Sequence, residues 1–333
     1  LIPAAASTGQ EARMEESLKI VMLGTGDFAL PTFVALLDAG HRVSALVTQP
    51  DRPQGRKQEL LPSLIKREAL ARGIPVFQPE RVNDPEAVEH IRSLAPDFLV
   101  TAAYGQILSA ELLGVPRAGA LNLHGSILPA YRGAAPVARA IQNGEVESGV
   151  TVIQMTPRVD AGGMIAFART PIDPDETAGA LEDRLAALGA PLLVDVLRRV
   201  AEGRAEILPQ DQALVTKAPK LRKEDGVIDW TLSAKRIHDL VRAMRPWPVA
   251  STTWTPLPRT PKGSLRLIVH ATTVVDGSGE PGTVIAATNE GIDVAAGEGA
   301  VRLVSVQPTG KKPMPASEFL RGHHVQTGDR MGD

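Results

Sequence analysis

Apolar and polar positions set two rhythms along the chain. Up to about residue 200, short apolar runs alternate with amphipathic stretches. Residues 18–23 form a largely apolar run that stops at Gly24, the pattern of a buried parallel strand. Residues 43–47, 76–77, 98–102 and 120–123 repeat it. Between them, residues 30–39, 63–72 and 85–94 have helical spacing, with Ser63 a candidate cap. Such alternation predicts an open α/β sheet, Rossmann-like in outline. Residues 150–155 and 164–169 read as additional strands, suited to an antiparallel extension. Residues 177–201 form a long amphipathic helix whose apolar face is Leu181, Leu185, Leu188, Leu192, Leu193 and Val196.

The rhythm then changes. Residues 203–221 lack periodicity and carry two prolines, so they read as a linker. A helical stretch follows at 233–244, and then short β-rich runs at 251–254, 265–270, 282–286, 291–294 and 300–306, separated by Gly- and Pro-rich turns. Strands of that length and spacing suggest a small barrel. The expected organisation is a disordered leader at 1–16, a first domain at 17–203, a linker at 204–221 and a small β-rich domain at 222–325. The leader lacks a basic start and a long apolar centre, which argues against a secretory signal, and Met14 within it is a candidate start.

Composition narrows the class. A chain of 333 residues suits two domains, and 43% hydrophobic with 22% charged residues is ordinary for a soluble protein. No apolar run approaches the ~18 residues of a membrane span. Without cysteine there is no disulfide, thiolate metal site or thiol nucleophile, which fits a cytoplasmic location. Net charge is −2, which argues mildly against a nucleic-acid partner. The charge is uneven, however: from Lys217 onward the balance is +4, against −6 for the rest. Lys217, Lys220, Arg222, Lys223, Lys235, Arg236, Arg242 and Arg245 crowd the start of that basic half. Clustering is what phosphates sense, although a solvated face has the same composition.

Asn122, His124 and Asp160 stand out as polar groups in apolar surroundings. Asn122 and His124 are two apart in a strand-like run, so they share one face. The run breaks at Gly125, as a strand does where its end opens onto a site, and Asp160 sits in a Gly-rich loop. An amide, an imidazole and a carboxylate near strand ends suit acyl transfer. The first two can stabilise an oxyanion, and the third can manage protons. No two-His spacing surrounds them, so no metal is expected. His41, His90, His238, His270, His323 and His324 lack such neighbours and are read as packing or surface residues. Gly24-Thr25-Gly26-Asp27-Phe28-Ala29 has the form of a dinucleotide fingerprint. The acidic residue expected at the end of the second strand is missing, where Thr48-Gln49 stands instead, so the turn is read as a tight strand-to-helix connection without NAD.

The stretch Asn122-Leu123-His124-Gly125-Ser126-Ile127-Leu128-Pro129, the run Thr151-Val152, and Asp160 before Gly162-Gly163 together resemble the signature of folate-dependent formyltransferases, with Ile127 in place of a leucine. Further runs extend the resemblance over residues 18–321. They include Gln49-Pro50-Asp51-Arg52-Pro53, Ala103-Tyr104-Gly105-Gln106, Pro246-Trp247-Pro248 and Gln307-Pro308-Thr309-Gly310-Lys311-Lys312. Within the family the chain is similar to members that act on methionyl initiator tRNA. The resemblance implies an OB-like barrel for the second domain, which would bind tRNA. It implies 10-formyltetrahydrofolate as a consumed co-substrate and Asn122, His124 and Asp160 as catalytic residues. It also places Ser126, Ile127, Leu128 and Pro129 against the pterin, with Tyr104, Gly105, Gln106, Ile107 and Leu108 in the same pocket. Arg56 aligns with the residue by which the family's loop reaches the acceptor stem, although Lys57-Gln58-Glu59 makes this loop less basic than the family pattern. Lys217, Lys220, Arg222 and Lys223 would meet phosphates, and Trp247 would either anchor the second domain or contact RNA. A monomer is expected.

Two rivals share this chemistry: a formyltransferase acting on a small amine, and a hydrolase releasing formate from the same donor. A nicotinamide-dependent reductase and a non-catalytic RNA-binding module are rivals of other classes. The missing acidic residue opposes the reductase, and the joint presence of Asn122, His124 and Asp160 opposes the module.

Overall fold

A computed structural model of the chain describes residues 17–54, 59–258 and 263–332. The expected leader and Arg56 lie outside these described residues. Five parallel strands form the centre of the first sheet, in the spatial order Val76–Phe77, Arg42–Val47, Lys19–Gly24, Phe98–Ala102, Gly119–His124. Strands Glu147–Gln154 and Met164–Pro171 continue the sheet antiparallel. The central strands are apolar on both faces because helices cover both: all of Phe98–Ala102 and residues 20–24 of Lys19–Gly24 are buried. The strand order reverses between Lys19–Gly24 and Phe98–Ala102. A crevice opens at such a switch point, outside the carboxyl ends of the strands.

Helix Ala178–Ala201 lies across the sheet, with Thr177 capping it by accepting from the Ala180 N–H. Leu181, Leu185, Leu193, Val196 and Leu197 bury its apolar face, while Leu188 and Leu192 pack at the margin of the core. The helix fits close to the sheet at Gly189, where a Cβ would stand 2.6 Å from a methyl of Leu123.

The second domain is an antiparallel sheet in the order Val284–Thr288, Gly291–Ala295, Ala300–Pro308, Leu265–Val275, Ala250–Thr255, Arg330–Met331. Arg330 also bridges to Thr283, just before the first of these strands, so the sheet curls nearly closed into a barrel. The closing strand lies beyond residue 325, where the domain was expected to end; two residues give no periodicity to read. Asp329 beside it is fully buried and accepts hydrogen bonds from Trp254 Nε1, Leu257 N and Gln326 N. Among the described residues no helix is long and apolar enough to cross a membrane.

Helix Ala234–Ala243 packs against barrel strand Leu265–Val275 on one side and helix Pro136–Gln142 of the first domain on the other. That position corrects the reading of Arg242 as part of a basic surface. Arg242 is only 5% exposed. It donates to Asp239 through Nε at 2.9 Å, and reaches across to the backbone carbonyls of Asp173 and Glu176 in the first domain. Asp239 is fully buried and also takes Lys235 Nζ at 2.6 Å. Truncating one member of a buried pair leaves the other uncompensated, at about 3–5 kcal/mol. Asp239→Ala should therefore lower the urea midpoint of unfolding clearly, and an unchanged midpoint would show that water replaces the lost carboxylate.

Candidate active site

Thr101 and Asn122 are register partners at the carboxyl ends of adjacent parallel strands. The Thr101 hydroxyl donates to Asn122 Oδ1 at 2.6 Å. This occupies the amide oxygen, and among the described residues Nδ2 has no partner, which leaves it to a ligand in the cavity that Asn122 lines. His124 ends the same strand, 5% exposed. Its Nε2 is 2.9 Å from the carbonyl of Tyr131. A carbonyl can only accept, so Nε2 carries a proton and the ring is held by that bond. Nδ1 then faces Asp160 Oδ2 at 3.6 Å, beyond hydrogen-bonding distance. Asp160 Oδ2 accepts instead from the Gly133 N–H at 2.9 Å. The bond that holds the His124 ring is thus the one to the Tyr131 carbonyl.

These groups border a cavity of about 680 Å³, a size typical of small-ligand sites. Tyr104, Gly105, Gln106, Ile107 and Leu108 all line it. The Tyr104 carbonyl accepts from Thr25 and Gln49, which ties the Gly24–Gly26 turn to the cavity wall. Among the described residues the buried Tyr104 hydroxyl has no hydrogen-bond partner, and burial pushes its pKa well up. Gln106 turns away to hold the neighbouring loop through Val82 N and the Glu80 carbonyl. Trp247, half-exposed, and Lys220 stand on the lining as well.

Ser126, Ile127, Leu128 and Pro129, expected against a pterin, directly follow Gly125, which lines the cavity, and are not themselves on its lining. Ser126 and Leu128 are buried, and the polar groups of this turn bond inward. Ser126 Oγ donates to the Ala130 carbonyl, and Thr151 Oγ1 accepts from Leu128 N while donating to the Ser126 carbonyl. The turn braces strand Glu147–Gln154. Lys217, Arg222 and Lys223 are exposed but outside the cavity, and Lys220 joins them to its rim. Among the described residues no group of three His, Asp or Glu side chains is placed to hold a metal.

Several participants escape sequence reading. Thr101 is the one polar residue in an otherwise apolar strand, a signal that could have been used. The Tyr131 carbonyl and the Gly133 amide carry no side-chain signal. Glu182, in helix Ala178–Ala201, is open to water within the cavity yet surrounded by protein. Burial, reinforced by Asp183 and Asp27, raises its pKa.

Comparison with known proteins follows the same outline. The family model described as formyl transferase matches residues 18–197, and the formyl transferase C-terminal domain matches residues 220–324. A methionyl-tRNA formyltransferase of Moorella thermoacetica is 46% identical over 317 residues, covering 95% of this chain and 99% of the relative. One from Geobacillus thermodenitrificans is 43% identical over 94% of this chain and 98% of its own. Among solved structures, an N-formyltransferase from Helicobacter canadensis with folinic acid and dTDP-3-aminofucose superposes with a TM-score of 0.64 at 18% identity, covering 86% of this chain and 99% of that one. HypX from Aquifex aeolicus with tetrahydrofolic acid gives 0.60 at 17% identity, over 91% and 46%.

The raised pKa of Glu182 fixes the sign of a pH effect. A carboxyl whose folded pKa lies above its unfolded value of about 4.3 stabilises the fold only when protonated, and that contribution is lost as pH rises through the folded value. Glu182→Gln should therefore raise the melting temperature at neutral pH. The gain should vanish below about pH 4, where both side chains are neutral. Melting curves at the two pH values check this; a gap that stays constant would contradict it.

Proposed function

The chain belongs to the formyl transferase family, and from that membership we propose that it moves the formyl group of 10-formyltetrahydrofolate to the α-amine of methionyl initiator tRNA. The observation that carries this reading is the 46% identity to a methionyl-tRNA formyltransferase over nearly the whole of both chains. The fold alone does not choose the acceptor. The Helicobacter structure, with an amino sugar nucleotide, shares the two-domain arrangement over 99% of its length. A second domain is therefore no mark of tRNA, and the choice rests on the identity and on the basic strip at Lys217, Lys220, Arg222 and Lys223.

In the proposed reaction the neutral α-amine attacks the formyl carbon. A C–N bond forms and the carbonyl electron pair moves to oxygen. Asn122 Nδ2, aligned by Thr101, donates to this oxyanion. Because Tyr131 engages Nε2, His124 turns Nδ1 toward the reaction and donates from it when protonated. Asp160 Oδ2, with a gap of 3.6 Å to that nitrogen, takes the proton lost by the attacking amine, directly or through water. Collapse of the intermediate breaks the bond to N10, which receives that proton from Asp160, directly or through water, and leaves as tetrahydrofolate. No step calls for a metal or a nicotinamide. Arg56 would reach the acceptor stem, and the basic strip would meet its phosphates. The enzyme would act in the cytoplasm, where initiator tRNA is used, and as a monomer.

Purified protein, formyl donor and charged tRNA test the reading. Wild type should formylate initiator methionyl-tRNA well above an elongator. His124→Ala and Asp160→Asn should each lower turnover by ~10²-fold with folding intact. Neutralising Lys217, Lys220, Arg222 and Lys223 together should weaken tRNA binding and flatten its salt dependence by roughly one unit of slope per lost phosphate contact. Arg56→Ala should blur the choice of initiator. Full turnover without His124 would overturn the assignment of catalytic roles, and tRNA affinity indifferent to the four charges would promote the small-amine rival.

A further inference from the structure

The segment between the two domains is built into the catalytic centre. Gln210 lies there, 6% exposed. Its Nε2 donates to the carbonyls of Asp160 and Gly162, both at 2.7 Å. Its Oε1 accepts from Arg132 Nε at 3.0 Å and from the same guanidinium's Nη2 at 2.7 Å. Both donors and both acceptor positions of the amide are thus used. Asp160 itself sits in the left-handed region at φ 49°, a conformation that a non-glycine residue keeps only when its surroundings impose it.

A few residues on, Lys217–Ala218 pairs in parallel with Arg132–Gly133. Thr216 contributes two further bonds, its carbonyl to Arg132 N and its hydroxyl oxygen to Tyr131 N. The partner stretch is the one that holds the reactive groups: the Tyr131 carbonyl accepts from His124 Nε2, and the Gly133 N–H donates to Asp160 Oδ2. Gly133 permits the approach, since it has φ 126° and a Cβ there would stand 2.5 Å from the Ala218 carbonyl.

We propose that Gln210 is a positioning residue for formyl transfer, clamping Asp160 opposite His124, and that residues 210–218 form a brace for both groups. The inference rests on the functional reading above. Loss of the clamp lets Asp160 leave its left-handed conformation without removing any group that binds donor or acceptor. It therefore acts on kcat rather than on KM.

The test is steady-state kinetics of formyl transfer by Gln210→Met, which keeps the volume and loses every hydrogen bond, and Gln210→Glu, which keeps the acceptor for Arg132 but not the amide donor. Both should lose about 10- to 100-fold in kcat, the scale of a small misplacement of a reacting group, with KM for donor and tRNA within about twofold of wild type. Should neither variant fold, Thr216→Val decides, since Thr216 is exposed and the change is nearly isosteric. It should lower kcat at least about threefold with KM unchanged. Unaltered kcat in the folded variants, or a loss confined to KM, overturns the inference. A wild type that fails to formylate methionyl-tRNA overturns the functional reading instead, so the two failures are distinguishable.

Discussion

A slip of one residue between strands Phe98–Ala102 and Gly119–His124 would turn Asn122 and His124 to the opposite face of the sheet. It would also separate Thr101 from Asn122, whose pairing depends on that register. Burial protects the alignment: every residue of Phe98–Ala102 is buried, and Leu121 and Leu123 of the neighbouring strand are 2% exposed. Fully burying a side chain of this size favours the folded state by about 1.5–3 kcal/mol, so a slipped register that exposed several would be strongly disfavoured. The same apolar packing that holds the sheet together therefore aims the polar groups at its edge.

That dependence explains what could be read from sequence. The buried parallel strands announce themselves as apolar runs, and their expected bounds agree with the structure to within a residue or two. The long helix was equally legible, as was the placing of Asn122, His124 and Asp160 around one cavity. The two-residue strands Arg132–Gly133, Lys217–Ala218 and Arg330–Met331 were not, because pairings so short carry no period. Ser126, Ile127, Leu128 and Pro129 show a different limit. A motif next to reactive residues also folds the turn that carries them, and sequence does not show those bonds: Ser126 and Leu128 bond inward to Ala130 and Thr151. Arg242 illustrates a third. A cation in a basic run looks solvated until the fold sets a carboxylate from the preceding turn, Asp239, and two foreign carbonyls around it.

Charge has separate jobs in the two domains. The buried Asp239–Arg242 pair fastens helix Ala234–Ala243 to the first domain. Exposed Lys217, Arg222 and Lys223, with Lys220 at the cavity rim, lie on the route from one domain to the other. Contacts from lysine to phosphate add affinity and salt dependence but carry no base information. On the proposed function, choice between tRNAs would arise where side chains meet base edges or the end of the acceptor, and the cavity rim with its half-exposed Trp247 is open to such contact.

Strain gives the strongest reason for the chain between the domains to be held so closely. Among the described residues five non-glycine positions have positive φ, and three of them, Ala103, Tyr131 and Asp160, belong to the cavity wall or the stretch that supports it. Each such residue costs of order 1–3 kcal/mol. At Asp160 the opposing bonds are one from Gln210 to its carbonyl, worth about 1 kcal/mol, and one from the Gly133 N–H to its carboxylate, worth about 1.5–3. The two sides are comparable, and Asp160 keeps its conformation with little to spare. The bond from Gln210 to the Asp160 carbonyl spans 50 positions in sequence. The Asp160 loop thus takes part of its support from chain that has left the first domain and folded back over it, and residues 210–218 join the site through those contacts.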